Sequence, residues 1–146
     1  MKEVKKTHVG AYGVIIQDNK IALIKKARGG YKGKLDLPGG GIEHDETPLV
    51  ALKRELDEEA GVKTTKEELI DATSKTFKWQ MEKDLIEDLH HIGIIYKVEI
   101  EEQKLKEEPD GIDSEGCNWY EIEKLSKNNL SPFTIHSLEK LGYKLS

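Results

Sequence analysis

Apolar residues recur along the chain in short runs whose alternation or spacing predicts strands and amphipathic helices. Residues 8–17 are rich in Val, Ile and Tyr, and residues 21–24 resume that pattern after a turn signal at Asp18-Asn19. This arrangement predicts an opening β-hairpin. A short strand is expected over residues 35–37, because Pro38 directly after it disfavours further pairing.

The segment from Thr47 to Gly61 predicts a helix over residues 48–60. Thr47 suits the N-cap, Pro48 suits the first helical position, and Gly61 suits the left-handed residue that ends a helix. Apolar positions follow at spacings of three and four residues, as in the buried stripe of a helix. That stripe consists of Leu49, Leu52, Leu56 and Ala60.

The second half of the chain predicts more strands and one more helix. The expected elements are a strand over 69–79, a long acidic loop over 80–88, a strand over 90–100, a charged connection over 101–110, a strand over 116–121, a helical turn over 122–125 and a helix over 131–141. Strands on both sides of a central helix predict an α/β sandwich around a mixed β-sheet.

Composition narrows the class of protein. The 146 residues fit a single domain over residues 1–146, and a net charge of -5 argues against a broad nucleic-acid-binding surface. Cys117 is the single cysteine, so no intrachain disulfide forms and we expect a cytoplasmic protein. No apolar run approaches the roughly 20 residues of a membrane span, and residues 1–6 lack the apolar core of a signal peptide.

Three glutamates stand out on the predicted central helix. Glu55, Glu58 and Glu59 are spaced i, i+3 and i+4, which places them on one helical face where like charges repel. A hard divalent cation such as Mg²⁺ or Mn²⁺ would compensate, with main-chain carbonyls of the turn Gly39–Gly41 as further oxygen ligands. On charge alone, a solvated face at Asp57–Glu59 is the better interpretation.

Two further features bear on this choice. Glu46 precedes the helix and is expected to reach Arg54, whereas Arg54 and Lys53 are expected to point away from the acidic face. The glycine-rich segment 27–34 carries basic residues, among them Arg28 and Lys34, and is either a solvated loop or a flap that offers cations to phosphates.

The spacing around the glutamates resembles a known motif. From Gly40 the chain reads Gly-x5-Glu-x7-Arg-Glu-Leu-x-Glu-Glu-x-Gly-Val, which is similar to the Nudix box at every fixed position. Asp45 departs from it, since glycine is common there. The opening hairpin and residues 118–125 also resemble the family, so the resemblance extends over essentially the whole chain.

The resemblance implies a Nudix-type α/β/α sandwich and a metal-dependent hydrolase that cleaves the pyrophosphate linkage of a nucleoside diphosphate joined to another group. It implies Mg²⁺ or Mn²⁺ as cofactor, a small nucleotide as substrate and a possible homodimer. The implied metal ligands are Gly40, Glu55, Glu58 and Glu59, and the implied catalytic set is Arg54, Glu55, Glu58 and Glu59. Arg54, paired with Glu46, would orient the glutamates.

The general base is left open between Glu55, Glu87 and Asp88. By strand alternation, one of His90 and His91 should face the core, in a structural role.

Aromatic side chains offer a second kind of contact with a nucleotide. Tyr31, Phe77 and Trp79 could stack on a base, although aromatic residues at strand spacing usually belong to the core. Cys117 is expected to be a small buried apolar side chain.

Subfamily marks outside the box are few. Residues 76–78 lack the proline typical of ADP-ribose hydrolases, and no tyrosine typical of dinucleoside polyphosphate hydrolases occurs before Tyr96. This favours a nucleoside triphosphate or a related nucleotide. The alternatives are an RNA 5′-end pyrophosphohydrolase, a nucleotide-sensing module without turnover, and an isomerase, which would need a catalytic cysteine in the site.

Overall fold

The computed structural model describes residues 1–101 and 104–146, so part of the connection expected over 101–110 lies outside the described residues. Its strands are β1 (Lys2–Gln17), β2 (Lys20–Lys26), β3 (Leu35–Asp36), β4 (Gly39–Gly41), β5 (Thr64–Glu82), β6 (Leu85–Ile100) and β7 (Ser114–Glu121). Its helices are α1 (Pro48–Ala60) and α2 (Pro132–Lys140). Short 3₁₀ turns at Ile122–Lys124 and Lys127–Asn129 precede α2. Neither α1 nor α2 is long and apolar enough to cross a membrane.

Strand β1 organises the sheet because it pairs with several other strands. It runs parallel to β6 and antiparallel to β2 and β4. The sheet has the order β3-β2-β1-β6-β5, with β7 added to β2 and β4 added to β1. The sheet is therefore mixed, as the sequence predicts.

The two helices cover opposite faces of this sheet. In β1, Ala11 and Ile15 join the apolar cluster under α1, whereas Tyr12 and Val14 join the cluster that contains Phe133 of α2. This period of two is what a strand buried on both sides requires. The α/β/α sandwich is confirmed.

Helix α1 has the ends that its sequence predicts. The Thr47 hydroxyl accepts a hydrogen bond from the Val50 amide at 3.1 Å. Gly61 ends the helix with φ 70°, in the left-handed region that favours glycine. Asp57 is exposed to solvent, as its position away from the buried stripe predicts.

The expected loop over residues 80–88 is wrong. Strand β5 continues to Glu82 and β6 begins at Leu85, so the two form one long antiparallel hairpin. Strand β1 also begins earlier than expected, because residues 2–7 pair with residues 85–90 of β6. Main-chain pairing satisfies the backbone of these polar residues while alternate side chains stay in solvent.

Substituting Leu52 with Ala should cost about 2–5 kcal/mol in the free energy of unfolding, because the side chain is fully buried under the sheet. Val50→Ala on the same helix is the matched control, and it should change stability by less than about 0.5 kcal/mol, since Val50 is 53% exposed. Urea denaturation measures both. Equal effects of the two substitutions would contradict the assigned core face.

Candidate active site

A glycine turn lies directly over the acidic face of α1. Residues 39–41 pair with residues 10–12 of β1, which fixes their height above the helix. A Cβ added at Gly40 would lie 2.7 Å from the carboxyl carbon of Glu55, closer than real Cβ contacts allow. At Gly39 φ is 144°, and an added Cβ would lie 2.2 Å from the Ala11 carbonyl oxygen. The backbone therefore requires glycine at position 39, whereas a side chain at position 40 would displace the Glu55 carboxylate.

Glu59 is the most buried of the three glutamates. Its Oε1 accepts a hydrogen bond from the Gly39 amide at 2.8 Å, and the side chain as a whole has little exposure. Burial raises the pKa of Glu59 to about 8. Its charged form therefore lacks compensation, and either a proton or a cation stabilises it.

Arg54 connects the loop to the helix through its guanidinium. Its Nε and Nη2 each donate to the Glu46 carboxylate at 2.8 Å, and Nη2 also donates to the Gly41 carbonyl at 3.0 Å. This arrangement lowers the pKa of Glu46 to about 2. The expected contact between Glu46 and Arg54 is confirmed.

The expectation that Arg54 points away from the acidic face is wrong. Its Nη1 donates to Glu55 Oε1 at 2.8 Å and lies 3.5 Å from Glu58 Oε2. The long, forked side chain spans both sides of its own helical position, which helical angles alone do not reveal. Lys53 does point away, and its ammonium lies 3.7 Å from Glu67.

The glutamates and the glycine turn line a cavity of about 460 Å³, here called the glutamate cavity. Burial also raises the pKa of Glu55, whose carboxylate lies close to Gly40. The donors are all oxygens, as a hard divalent cation prefers. In the described part of the chain, no three acidic, histidine or cysteine side chains converge closely enough to hold a metal. The donor set fits such an ion in charge and in type of atom. The carboxylates would have to turn inward to bind it.

A second cavity of about 330 Å³, here called the aromatic cavity, adjoins the first. Tyr31, Phe77 and Trp79 line it and are only partly buried, so of the two alternatives the cavity wall fits them and the core does not. The side chains common to both cavities are His8, Tyr12, Lys26, Asp36 and Asp113. The two cavities therefore form one bipartite site.

His91 anchors the wall of the aromatic cavity. Its Nε2 lies 2.7 Å from the Tyr12 hydroxyl, and its Nδ1 lies 3.0 Å from the Tyr31 hydroxyl. Burial lowers the pKa of His91 to about 3, so the ring is neutral and has a single N–H. One tyrosine therefore accepts a hydrogen bond from the ring and the other donates one. The expected alternation is confirmed, because His91 is buried and His90 exposed.

The structure brings some of the other candidates to the site and not others. Arg28 lines the aromatic cavity, whereas Lys34 is directed elsewhere and donates to the Asn128 carbonyl at 2.6 Å. Glu87 also lines the aromatic cavity, and Asp88 follows it on the opposite face of β6. Of the three general-base candidates, Glu55 alone lies in the glutamate cavity.

Sequence reasoning missed three charged residues between the cavities. Lys26 forms an ion pair with Asp113. Asp36 is buried and accepts hydrogen bonds from the Ser131 hydroxyl at 2.6 Å and from the Leu37 amide at 2.9 Å. An acid between two leucines, directly before a glycine turn, is a signal that could have identified Asp36.

Cys117 is buried, as expected. Burial raises the pKa of its thiol to about 12, so it stays protonated. A protonated, enclosed thiol does not suit the isomerase alternative.

The chain was compared with known families and proteins. A family model described as the NUDIX domain matches residues 6–141. An ADP-ribose pyrophosphatase of Methanocaldococcus jannaschii is 46% identical over 54 residues, which cover 37% of this chain and 32% of that protein. An 8-oxo-dGTP diphosphatase of Proteus vulgaris is 33% identical over 78 residues, which cover 53% of this chain and 70% of that protein.

An RNA pyrophosphohydrolase of Saccharophagus degradans is 33% identical over 76 residues, which cover 52% of this chain and 45% of that protein. The aligned stretches thus span less than half of two of these three relatives.

Solved structures agree with the family match. A MutT NUDIX hydrolase from Burkholderia pseudomallei has a TM-score of 0.75 at 25% identity, with 93% of this chain and 98% of that chain covered. The NUDIX domain of Shewanella oneidensis NrtR, solved with ADP ribose, has a TM-score of 0.67 at 16% identity, with 94% and 86% covered. The latter likeness concerns the fold. With the glycine turn, the Glu46–Arg54 pair and the three glutamates in place, the chain belongs to the NUDIX domain family.

Proposed function

We propose that the protein is a metal-dependent pyrophosphohydrolase that cleaves the pyrophosphate linkage of a nucleoside triphosphate or a related nucleoside diphosphate derivative. The observation that carries this proposal is the bipartite site. One cavity presents carboxylates and the other presents aromatic rings, and they share charged side chains between them. A nucleotide has the same division into a phosphate part that binds metal and a flat base that stacks.

The metal belongs to the glutamate cavity. Proteins of this family generally use divalent metal ions, and we propose Mg²⁺ or Mn²⁺ here. The proposed ligands are Glu55, Glu58, Glu59 and the Gly40 carbonyl, an all-oxygen set. When bound, such an ion neutralises phosphate charge and makes a coordinated water more acidic.

The side chains of the chain supply positioning and proton transfer. Arg54 holds Glu55 through a hydrogen bond from Nη1 to Oε1, and the Glu55 carboxylate lies close to Gly40. Glu55 is the one general-base candidate that lines the glutamate cavity. We assign it to take a proton from the water that attacks phosphorus, as the P–O bond of the bridging oxygen breaks.

Cations between the cavities suit the phosphates. The Lys26 side chain is 16% exposed and lies among groups common to both cavities, so phosphate could displace its Asp113 partner. Arg28 lies on the rim of the aromatic cavity and is the other candidate for a phosphate contact. Lys34 is not retained in this role, because its ammonium is directed to the Asn128 carbonyl.

The relatives bear on the substrate through their names alone. They are described as an ADP-ribose pyrophosphatase, an RNA pyrophosphohydrolase and an 8-oxo-dGTP diphosphatase, which differ in the group joined to the phosphates. All three names denote cleavage of phosphate anhydrides, which supports the proposed reaction. The intact set of three glutamates favours turnover over a sensing module that only binds nucleotides.

A nucleotide panel with Mg²⁺ or Mn²⁺ tests this proposal directly. It should include nucleoside triphosphates, ADP-ribose and a 5′-triphosphorylated RNA, and it should measure released phosphate, pyrophosphate and nucleoside monophosphate. We expect metal-dependent cleavage of at least one small nucleotide. Nucleotide binding without any cleavage under either metal would favour the sensing module instead.

Glu59→Gln should lower kcat by several orders of magnitude, since it removes a proposed metal ligand while the Gln oxygen can still accept from the Gly39 amide. Asp57→Asn is the matched control, because Asp57 is exposed on the same helix, and it should keep near-normal turnover. Steady-state kinetics and circular dichroism measure activity and folding. Near-normal turnover by the Gln variant would exclude the metal assignment.

Relative to Glu59→Gln, the metal-free parent should lose stability as pH rises from about 4.5 to about 8, the ordinary and the folded pKa of Glu59. Within this window the unfolded chain loses the proton that the folded state keeps, so the unfolded state binds fewer protons. Each pH unit corresponds to about 1.4 kcal/mol. Glu59→Gln should therefore be more stable than the parent above pH 8 and similar to it below pH 4.

Urea denaturation in a chelating buffer at pH 4, 6 and 9 measures this slope. Added Mg²⁺ should recover the lost stability of the parent at pH 9 and have little effect on the Gln variant. A parent and a Gln variant with the same pH dependence would contradict the buried, uncompensated state of Glu59.

A further inference from the structure

We infer that Glu87 makes the aromatic cavity selective for a guanine ring, through the two adjacent N–H groups on one edge of that base. This inference rests on the proposed function in one respect, since it takes the aromatic cavity as the place where the base of the nucleotide lies. It adds the identity of the base and the residue that chooses it.

Glu87 is an unusual side chain for the wall of such a cavity. It is 5% exposed, yet it carries a carboxylate and lines the cavity beside the rings. Strand β6 directs it inward, with Leu89 and His91 on the same face. A buried charge without partners is costly, so its remaining oxygen positions need donors.

Within the described residues, the carboxylate has one direct partner. The Trp79 indole N–H donates to Glu87 Oε1 at 2.9 Å, and no ion pair joins Glu87 to a cation. A carboxylate can accept about four hydrogen bonds. The indole fixes its orientation and leaves most of that capacity for a ligand.

The other carboxylates near this cavity are already engaged. Asp113 is paired with Lys26, and Asp36 accepts from Ser131 and from the Leu37 amide. Glu87 is therefore the acid with the most unused acceptor capacity on this wall.

Guanine is the common base that best supplies what Glu87 lacks. Its ring N1–H and its exocyclic amine are adjacent donors that match the two oxygens of a carboxylate. In adenine and cytosine the amine lies beside a ring nitrogen that accepts, and that lone pair repels a carboxylate. Uracil and hypoxanthine have a ring N–H but no amine. A site built to bind N–H groups rejects analogues that lack them, because its buried polar atoms are left unpaired.

The aromatic rings supply the part of the affinity that all bases share. Tyr31 and Phe77 have ring centroids 5.0 Å apart with a tilt of 34°, and Trp79 lines the same cavity. Stacking on such rings tolerates any base. Selectivity then depends on the edge contacts, which the strand position of Glu87 provides.

The test measures binding of GMP, IMP and AMP to the full chain by calorimetry, without metal. The parent protein should bind GMP at least tenfold more tightly than IMP or AMP, the range expected for hydrogen bonds to a charged acceptor. IMP differs from GMP only in the missing amine. Equal affinity for GMP and IMP, or no detectable binding of any of the three, would overturn the inference without any variant.

Variants then assign the preference to one side chain. Glu87→Gln removes the charge and one acceptor oxygen, and it should reduce the ratio of GMP to IMP affinity by about tenfold. AMP affinity should stay equal or rise, because the amide N–H can donate to the adenine ring nitrogen that a carboxylate repels. Asp88→Asn, on the opposite face of the same strand, should leave the ratio unchanged. A Gln variant that keeps the full preference for GMP would also overturn the inference.

This experiment separates the inference from the proposed reaction. Binding of monophosphates without metal requires no cleavage, so a GMP preference that depends on Glu87 would stand even if the nucleotide panel showed no hydrolysis. Conversely, hydrolysis without base preference would support the proposed reaction and contradict the role of Glu87.

Discussion

The guanidinium of Arg54 ties the glycine turn to helix α1, and the geometry of the site depends on that tie. Its contacts reach Glu46 before the helix, the Gly41 carbonyl in the turn and Glu55 on the helix itself. One planar group with five donors can serve all of these acceptors at once, which an ammonium cannot do. Without it, the short pairing with β1 and the hydrogen bond from the Gly39 amide to Glu59 would remain to hold the turn over the carboxylates.

The same tie lets the fold keep negative charge close together and partly out of water. Glu55 and Glu59 both have pKa values raised by burial, and each repels the other. Arg54 offsets part of that repulsion at Glu55, while Glu59 accepts a hydrogen bond from the Gly39 amide. Raised pKa values mean that charging these carboxylates costs stability in the metal-free protein, and the rest of the sandwich offsets that cost.

The sequence predicted well where the physics is local. Helix α1 carries its own cap, proline and left-handed glycine, and the Glu46–Arg54 pair is close along the chain, so spacing sufficed. The aromatic cavity was not predictable in this way. Its walls come from the loop after β2 and from β5 and β6, and alternation shows which residues share a face but not whether that face is covered. Trp79 and Glu87 meet across the hairpin only because β5 and β6 pair in that register. The polar hairpin tip was missed because its stability comes from main-chain pairing rather than from apolar side chains.

The separate origin of the two cavities has an evolutionary consequence. The glutamates lie on a helix that the turn and Arg54 contact closely, whereas the ring-lined wall is carried by a long hairpin of alternating side chains. Substitutions at inward positions of that hairpin would alter the aromatic cavity while the glutamate cavity stays intact. Diversification of the family would then be expected in β5 and β6 before it appears in α1.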